Sequence, residues 1–247
     1  MNIENYELNR TATQDEWKSR HQEKGLSKFI YDGIVNENLW ANADKKITFF
    51  LKEAYLREDV SEGYLCGFLN KWSVWRMWKV VSDWIYALQN VTVNTIPAFH
   101  LFDYNNSEAS SERVRSIAVV NIKKSEGQTS SDYNDLMNFA ENDSDMIQRQ
   151  IAEINPEIIV CGNTGYYFEI VYGAKFEKNK IKTNAKFNGY EIDHYEFDKK
   201  KFVWAGNTLI IDFCHPANHF HRQGKYYALS ALYQQALKEK EETTQGD

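Results

Sequence analysis

The chain has 247 residues, of which 43% are hydrophobic and 15% aromatic, and its formal net charge is −6 at pH 7. This is enough apolar material for one large folded domain, and the mild acidity argues against a wholly basic nucleic-acid coat without excluding one basic face. The three cysteines, Cys66, Cys161 and Cys214, form no CxxC pair and are fewer than the four thiolates that an iron–sulfur cluster usually takes.

Targeting and membrane segments are not evident in the sequence. The first seventeen residues are polar, and no apolar run approaches the length of a bilayer span. Sparse, unpaired cysteines are typical of a reducing compartment. We therefore expect a soluble, cytoplasmic, monomeric protein that has no membrane partner.

The predicted elements alternate between helix and strand along the chain. We expect helices at residues 13–36, 63–89 (broken near Trp72), 132–154 and 226–240. Four short apolar runs suit buried strands, at residues 47–51, 117–120, 158–161 and 208–213, and a hairpin is expected within 186–206. This alternation predicts a three-layer α/β/α sandwich with a central four-stranded parallel sheet. Residues 1–44 are expected to form a helical N-terminal extension packed on the domain, residues 45–240 the domain itself, and residues 241–247 a polar tail.

Polar side chains follow each of the four predicted strands. In parallel sheets such residues meet at the carboxyl edge, which is where α/β proteins bind ligands. They supply a carboxylate (Glu53), an amide (Asn121), an imidazole (His215) and an aromatic ring (Tyr55). A carboxylate can position water or offset positive charge, an amide can read the edge of a nucleobase, and an imidazole can stabilise a developing anion. This set suits the cleavage of an N-glycosidic bond.

The segments that carry these residues resemble the motifs of the uracil-DNA glycosylase superfamily. Residues 51–55 (LKEAY) are similar to that family's Gly-Gln-Asp-Pro-Tyr motif, and residues 215–218 (HPAN) begin like its His-Pro-Ser-Pro motif. Asn121 follows an apolar strand, as does the Asn that pairs with uracil in the family's uracil-specific branch. The resemblance covers roughly residues 45–235 in strand order. It implies a uracil-DNA glycosylase-like fold and excision of a base from DNA without a cofactor.

The resemblance also implies a role for each matching residue. Glu53 takes the place of the water-activating Asp, Asn121 pairs with the base edge, and His215 stabilises the departing base. Tyr55 walls the base pocket. Further contacts are expected beside these motifs: Lys52, Trp75, Asn163 and Asn218 for the substrate, and Lys123, Lys124, Thr164, His219, Phe220 and Arg222 for the DNA, with Phe220 as the wedge that holds the base out of the duplex.

The motifs depart from the family pattern at several positions. The first has Leu-Lys in place of Gly-Gln and Ala in place of Pro, and Glu53 is one methylene longer than Asp. The second half of the last motif is Ala-Asn. These changes predict a reshaped pocket. We expect the substrate to be a uracil-like base, as in DNA repair, or a modified pyrimidine of phage DNA, as in anti-phage defence.

Simpler interpretations of the same residues stay open. Glu53 could be a solvated charge or an ion-pair partner of Lys52 or Arg57, and Asn121 could cap a turn. The whole chain could also be a non-catalytic nucleic-acid-binding module of the same fold. A hydrolase of free nucleosides or nucleotides is the other alternative.

Three of the six histidines lie within seven positions, at His215, His219 and His221. Zinc binding by this set would need the i, i+4 pair to lie on a helix, and Pro216 opposes a helix that starts at His215. We therefore expect no metal site. His219 and His221 are instead expected in the loop that meets the DNA.

Overall fold

The chain folds around a mixed β-sheet that has helices on both faces. The structure is a computed structural model and describes residues 10–54, 62–71, 76–100, 107–127, 131–178 and 180–245. Its helices are α1 (Ala12–Glu23), α2 (Glu37–Ala41), α3 (Leu65–Lys71), α4 (Arg76–Asn90), α5 (Ser107–Arg115), α6 (Tyr133–Asn142), α7 (Ser144–Ile154), α8 (Gly165–Val171), α9 (His194–Lys200) and α10 (Arg222–Gln245). Its strands are β1 (Phe29–Tyr31), β2 (Gly33–Ile34), β3 (Ile47–Ala54), β4 (Glu62–Tyr64), β5 (Ala118–Glu126), β6 (Ile158–Gly162), β7 (Lys175–Glu177), β8 (Lys180–Thr183), β9 (Ala185–Phe187), β10 (Tyr190–Ile192), β11 (Phe202–Ala205) and β12 (Thr208–Phe213).

The central sheet has six strands within the described part of the chain, in the order β11-β12-β6-β3-β5-β2. The four inner strands are parallel to one another, whereas β11 and β2 run antiparallel at the two edges. The α/β class is therefore as predicted, but the sheet is mixed and has two strands more than expected. The edge strand β2 has only two residues, which is too short to leave a periodic pattern in the sequence.

Alternating side chains of the inner strands build two hydrophobic cores, one on each face of the sheet. Phe50 and Val120 point to the face that packs against α1, α6, α7 and α8. Phe49 and Val119 point to the opposite face, which packs against α3, α4 and α10. Because both faces are covered, residues 47–51 are all buried. This double burial explains why the strands read as continuous apolar runs.

The N-terminal segment is more closely joined to the sheet than the predicted helical extension would be. The helix predicted at residues 13–36 ends at Glu23, and β1 and β2 follow it. β2 pairs with β5 and forms an edge of the central sheet. Trp17 of α1 is fully buried in the core. The apolar residues between 29 and 34 are thus strand residues, which is consistent with their β-branched and aromatic character.

The helix predicted at residues 132–154 is interrupted at Asp143, where α6 meets α7. Asp143 is 2% exposed, and its carboxylate lies 2.7 Å from His21 Nε2 and 3.3 Å from Lys24 Nζ. These partners are 122 and 119 positions away in the sequence. A local hydrophobic period cannot reveal a break that is fixed by such distant contacts.

The strand predicted at residues 117–120 is longer than expected. β5 continues to Glu126, because Asn121 and Lys123 keep their backbone pairing with β3. The polar residues expected to follow the strand therefore lie inside the sheet. Asn121 consequently occupies the middle of a strand and does not cap a turn.

The remaining elements differ from the prediction mainly in extent. Residues 63–89 contain the end of β4 as well as α3 and α4, and the break predicted near Trp72 lies outside the described residues. The hairpin expected within 186–206 is formed by β9 and β10, and α9 and β11 follow it. α10 is longer than predicted at both ends, so most of the expected polar tail at 241–247 is helical.

A fully buried ion pair joins the N-terminal segment to the sheet. Lys124 Nζ contacts the Asp32 carboxylate, and both side chains have no solvent exposure. The same carboxylate accepts hydrogen bonds from the side-chain amides of Asn121 (3.0 Å) and Gln150 (2.9 Å). Burial lowers the pKa of the Lys124 ammonium, and the charge of Asp32 opposes that shift. The expected DNA contact of Lys124 is corrected by this position, because a side chain without solvent exposure cannot reach a phosphate.

Removing one partner of this pair should destabilise the fold. We expect Asp32→Asn to lower the free energy of unfolding by about 3 kcal/mol, because it leaves the Lys124 charge buried without a counter-charge. Adding Lys124→Met should recover more than half of that loss. Urea denaturation of both variants measures the difference. A double variant that is no more stable than Asp32→Asn alone would contradict the ion-pair explanation.

Candidate active site

The carboxyl ends of the four parallel strands form one edge of the sheet. β3 precedes β5 in the chain, yet β5 lies on one side of β3 and the next parallel strand, β6, lies on the other. The chain therefore reverses its direction of travel across the sheet at the boundary between β3 and β6. In open α/β sheets, the crevice outside the carboxyl ends at such a switch point is the usual ligand site.

Glu53 lies at the carboxyl end of β3, at this switch point, and its side chain is only 8% exposed. Its Oε2 lies 3.7 Å from Lys123 Nζ, so among the described residues its ion-pair partner is Lys123 and not the adjacent Lys52. Arg57, the other expected partner, lies outside the described residues. Its Oε1 is buried and has no hydrogen-bond partner among the described residues. Burying a carboxylate oxygen without a partner is costly. Oε1 is therefore a buried carboxylate oxygen whose hydrogen-bonding capacity the described residues leave unused.

Two neighbours fix the position of the Glu53 carboxylate. Lys123 is shared between Glu53 and Asp135, whose Oδ2 lies 2.6 Å from its Nζ. Gly127 donates a backbone hydrogen bond to Ala54 (2.8 Å), and a Cβ at Gly127 would lie 2.6 Å from Cγ of Glu53. Only glycine leaves room for the carboxylate at this point. Lys123 is 12% exposed and pairs with these two carboxylates. This position does not favour the DNA contact that was expected of it.

His215 follows β12 and holds a neutral imidazole. Its Nδ1 accepts a hydrogen bond from the backbone N–H of Ala217 (3.2 Å), which places the ring proton on Nε2. Burial, with added repulsion from the charges of Lys52 and Lys225, lowers the pKa of His215 to about 4. At neutral pH the Nε2–H is therefore a neutral hydrogen-bond donor that could stabilise a developing anion.

The loop that carries His215 is anchored by Lys225 of α10. The Lys225 ammonium is buried and donates to the backbone carbonyls of Pro216 (2.9 Å) and Asn218 (2.8 Å). Pro216 also lies against the end of β6, where a Cβ at Gly162 would come within 3.3 Å of its Cδ. Asn218, a predicted substrate contact, accepts a hydrogen bond from the N–H of Phe220 (3.1 Å) and shapes the loop.

The turn after β6 contains two of the predicted contact residues, one exposed and one buried. Asn163 is exposed and has a positive φ of 57°, which Asn tolerates better than most residues. Thr164 is 1% exposed, and its hydroxyl donates to the backbone carbonyl of Phe50 (2.6 Å). The expected DNA contact of Thr164 is therefore corrected. The first N–H of α8, at Gly165, is also occupied, because it donates to the Asp212 carboxylate (3.2 Å).

Asn121 is tied to Asp32 and is 2% exposed. Both its backbone N–H (2.8 Å) and its side-chain amide (3.0 Å) donate to the same Asp32 oxygen. Its amide is thus committed to the buried network around Lys124. Asn121 therefore has a structural role in this network. The sequence had suggested a base-reading role for the same amide.

The loop between β12 and α10 exposes the residues predicted to meet DNA. His219, Phe220 and His221 are all exposed, and Phe220 is 70% exposed. Arg222 does not fit its expected phosphate contact, because its guanidinium pairs with both carboxylate oxygens of Asp83 and is 12% exposed. Across the described residues, no three His, Cys, Asp or Glu side chains converge as a metal-ligand set.

Lys52 connects His215 to an aromatic group that sequence analysis did not predict. Its ammonium lies 5.4 Å from the ring centroid of Tyr133, at the start of α6, and its charge acts on His215. Tyr133 is 67% exposed and stacks on the buried Tyr167 at a centroid distance of 6.5 Å. Lys52 and Tyr133 are 81 positions apart, so no local sequence pattern indicates that they lie close together. The two aromatic residues that were predicted for the pocket, Tyr55 and Trp75, lie outside the described residues.

Comparison with protein-family models and with curated proteins finds no match for this chain. None of the described helices combines the length and the apolar character needed to cross a bilayer.

The state of His215 can be tested by NMR. We expect its imidazole to be the Nε2–H tautomer at pH 7 and to titrate near pH 4, against about 6.5 in an unfolded chain. Since the folded pKa is the lower one, protons bind the unfolded state first as the pH falls. The contribution of His215 to the free energy of unfolding should therefore decrease from about pH 6.5 towards pH 4 and level off below it. His215→Asn assigns the signal and should remove this pH dependence, whereas a midpoint near pH 6.5 would contradict the buried, neutral state.

Proposed function

We propose that this protein is a DNA glycosylase of the uracil-DNA glycosylase type, which hydrolyses the N-glycosidic bond of a base flipped out of DNA. The observation that carries the proposal is the Oε1 atom of Glu53, a buried carboxylate oxygen without a partner in the described structure, at the switch point of a parallel sheet. The order of the three motifs along the chain supports the same activity.

The proposed mechanism uses Glu53 and His215 as the reacting groups. The nucleotide is extruded into the crevice at a cost of roughly a few kcal/mol. The base leaves with the electron pair of the broken bond, and the Glu53 carboxylate stabilises the positive charge that grows on the sugar. Glu53 positions a water through Oε1, and this water forms the new bond to the sugar carbon and passes its proton to the carboxylate. The Nε2–H of His215 donates a hydrogen bond to the carbonyl oxygen of the departing base, where negative charge accumulates.

The neutral form of His215 suits this task. A protonated imidazole would attract the carboxylate of Glu53 and compete for its charge, whereas a neutral donor interacts chiefly with the developing anion. Burial, with added repulsion from Lys52 and Lys225, keeps the imidazole neutral by lowering its pKa, and the charges of the two lysines would also favour a departing anion. The proposal therefore assigns the two lysines an electrostatic role and needs no cofactor.

The substrate is proposed to be a uracil-like base or a modified pyrimidine. Two features favour a pocket that differs from one built for uracil alone: the longer carboxylate at Glu53, and the amide of Asn121, which is committed to Asp32. A screen of base release against uracil-containing and hypermodified DNA separates the two versions. Release of uracil alone would exclude the modified-base version and its role in anti-phage defence.

Glu53→Gln tests the enzyme assignment. We expect single-turnover base release to fall by about 100-fold or more, because Gln keeps the shape but cannot offset positive charge, while DNA affinity changes little. Glu241→Gln, on the exposed end of α10, is the matched control and should leave release unchanged. If neither the wild type nor Glu53→Gln forms abasic sites but both bind DNA, the chain is a non-catalytic binding module.

Phe220→Ala tests whether the substrate is a base within DNA. We expect release from duplex DNA to fall by about 10-fold or more, because the exposed ring no longer fills the gap left by the extruded base. Phe220→Leu keeps an apolar wedge and should retain most of the activity. A hydrolase of free nucleosides has no need of a wedge, so equal activity of wild type and Phe220→Ala on duplex DNA would favour that alternative.

A further inference from the structure

The hairpin formed by β7 and β8 carries a local positive charge that contrasts with the acidic chain. Residues 175–183, which form this hairpin, contain four lysines and one glutamate, a local net charge of +3 in a chain of net charge −6. The hairpin lysines are all exposed: Lys175, Lys178, Lys180 and Lys182. Such local charge, more than the net charge of a chain, determines where polyanions bind.

The pairing of the two strands directs this charge outwards. Phe176 pairs with Ile181, and these two residues are half-buried while the flanking positions are exposed. Glu177 forms an ion pair with Lys182. Among the described residues, no ion pair involves Lys175, Lys178 or Lys180. The hairpin therefore presents at least three lysines whose charges are available to a partner.

A row of aromatic rings connects this hairpin to the candidate active site. Phe176 contacts Tyr166, in the first turn of α8, at a centroid distance of 4.4 Å. Tyr166 contacts Tyr167 (5.9 Å), and Tyr167 stacks on Tyr133 (6.5 Å). Tyr133 in turn lies under the ammonium of Lys52, which acts on His215. We refer to Lys52, Tyr133, Tyr166, Phe176 and the lysines of β7–β8 as the aromatic-basic strip.

The strip keeps its positive character despite nearby carboxylates. Asp132 caps α6 by accepting from two backbone N–H groups, and Asp135 is paired with Lys123. Glu141 and Glu169 act on Tyr166, and Glu169 is paired with His194 (2.6 Å). The rings are open to solvent along the same strip, since Tyr133 is 67% exposed and Tyr166 is 41% exposed.

We propose that the aromatic-basic strip binds a single strand of DNA next to the excised nucleotide, with the hairpin lysines on its phosphates and the exposed tyrosines stacked on its bases. This inference rests on the proposed function. A basic surface interleaved with aromatic rings is the usual arrangement for binding unpaired strands, because rings can stack only on bases that are not already paired. The strand thus leaves the site over the α8 face of the sheet.

Salt titrations of binding test the lysines. The probe is a fluorescent single-stranded oligonucleotide without a target base, and the variants are Lys175→Gln/Lys180→Gln and, as control, Lys238→Gln/Lys240→Gln on the opposite face of the sheet. Each lost phosphate contact lowers the slope of log K against log salt by about 0.7 for single strands. We expect the hairpin variant to lose about 1.4 in slope and the control variant to keep the wild-type slope.

Tyr133→Leu tests the stacking and should keep the wild-type salt slope while weakening single-strand binding by about 5-fold or more. Binding of a matched duplex should change less than binding of the single strand. If wild type binds DNA but both hairpin and control variants keep its slope, the inference about the strip is overturned while base excision is unaffected. The inference is also overturned if the hairpin variant binds DNA as the wild type does but loses binding to an acidic protein. Base release by wild type, assayed separately, reports on the proposed function itself.

Discussion

The candidate active site depends on β3 being hydrogen-bonded along both of its edges. The register pairs Phe50 with Cys161 of β6 and Leu51 with Asn121 of β5. A shift by one residue would turn every side chain of β3 to the other face, and both faces of residues 47–51 are packed. The register is therefore fixed by two hydrophobic cores at once. Glu53, only two residues beyond this locked segment, takes its position from it.

Charged residues in this chain divide into those that serve the fold and those that remain available, and residue type does not distinguish them. Lys124 and Lys123 are adjacent, yet Lys124 is buried against Asp32 and Lys123 bridges two carboxylates at the edge. Arg222, next to an exposed loop, pairs with Asp83 of α4. Asp32 and Asp83 lie 92 and 139 positions from their partners in the sequence. Local patterns therefore identify where cations occur but not which of them face solvent.

The features predicted best from the sequence are those that depend on residues adjacent along the chain. The apolar runs at 47–51, 158–161 and 208–213 became inner strands, because burial on both faces leaves a continuous apolar signal. The short strand β2 and the break at Asp143 left no such signal, since each depends on tertiary contacts. The same division holds at the site: strand ends placed Glu53 and His215 at one edge, whereas the proximity of Tyr133 to Lys52 follows only from the docking of α6.

Two of the side-chain groups that the fold leaves unsatisfied belong to the proposed site and to the aromatic row beside it. Five buried side-chain atoms have no hydrogen-bond partner within the described structure, and Glu53 Oε1 is the only carboxylate oxygen among them. A buried anionic oxygen is far more costly to leave unpaired than a hydroxyl or an indole N–H. The hydroxyl of Tyr167 is another of the five, and it belongs to the aromatic row that reaches Lys52. Folding alone gives no reason to bury these two atoms, whereas a ligand that binds across the edge would partner Glu53 Oε1 directly and reach the row that contains Tyr167.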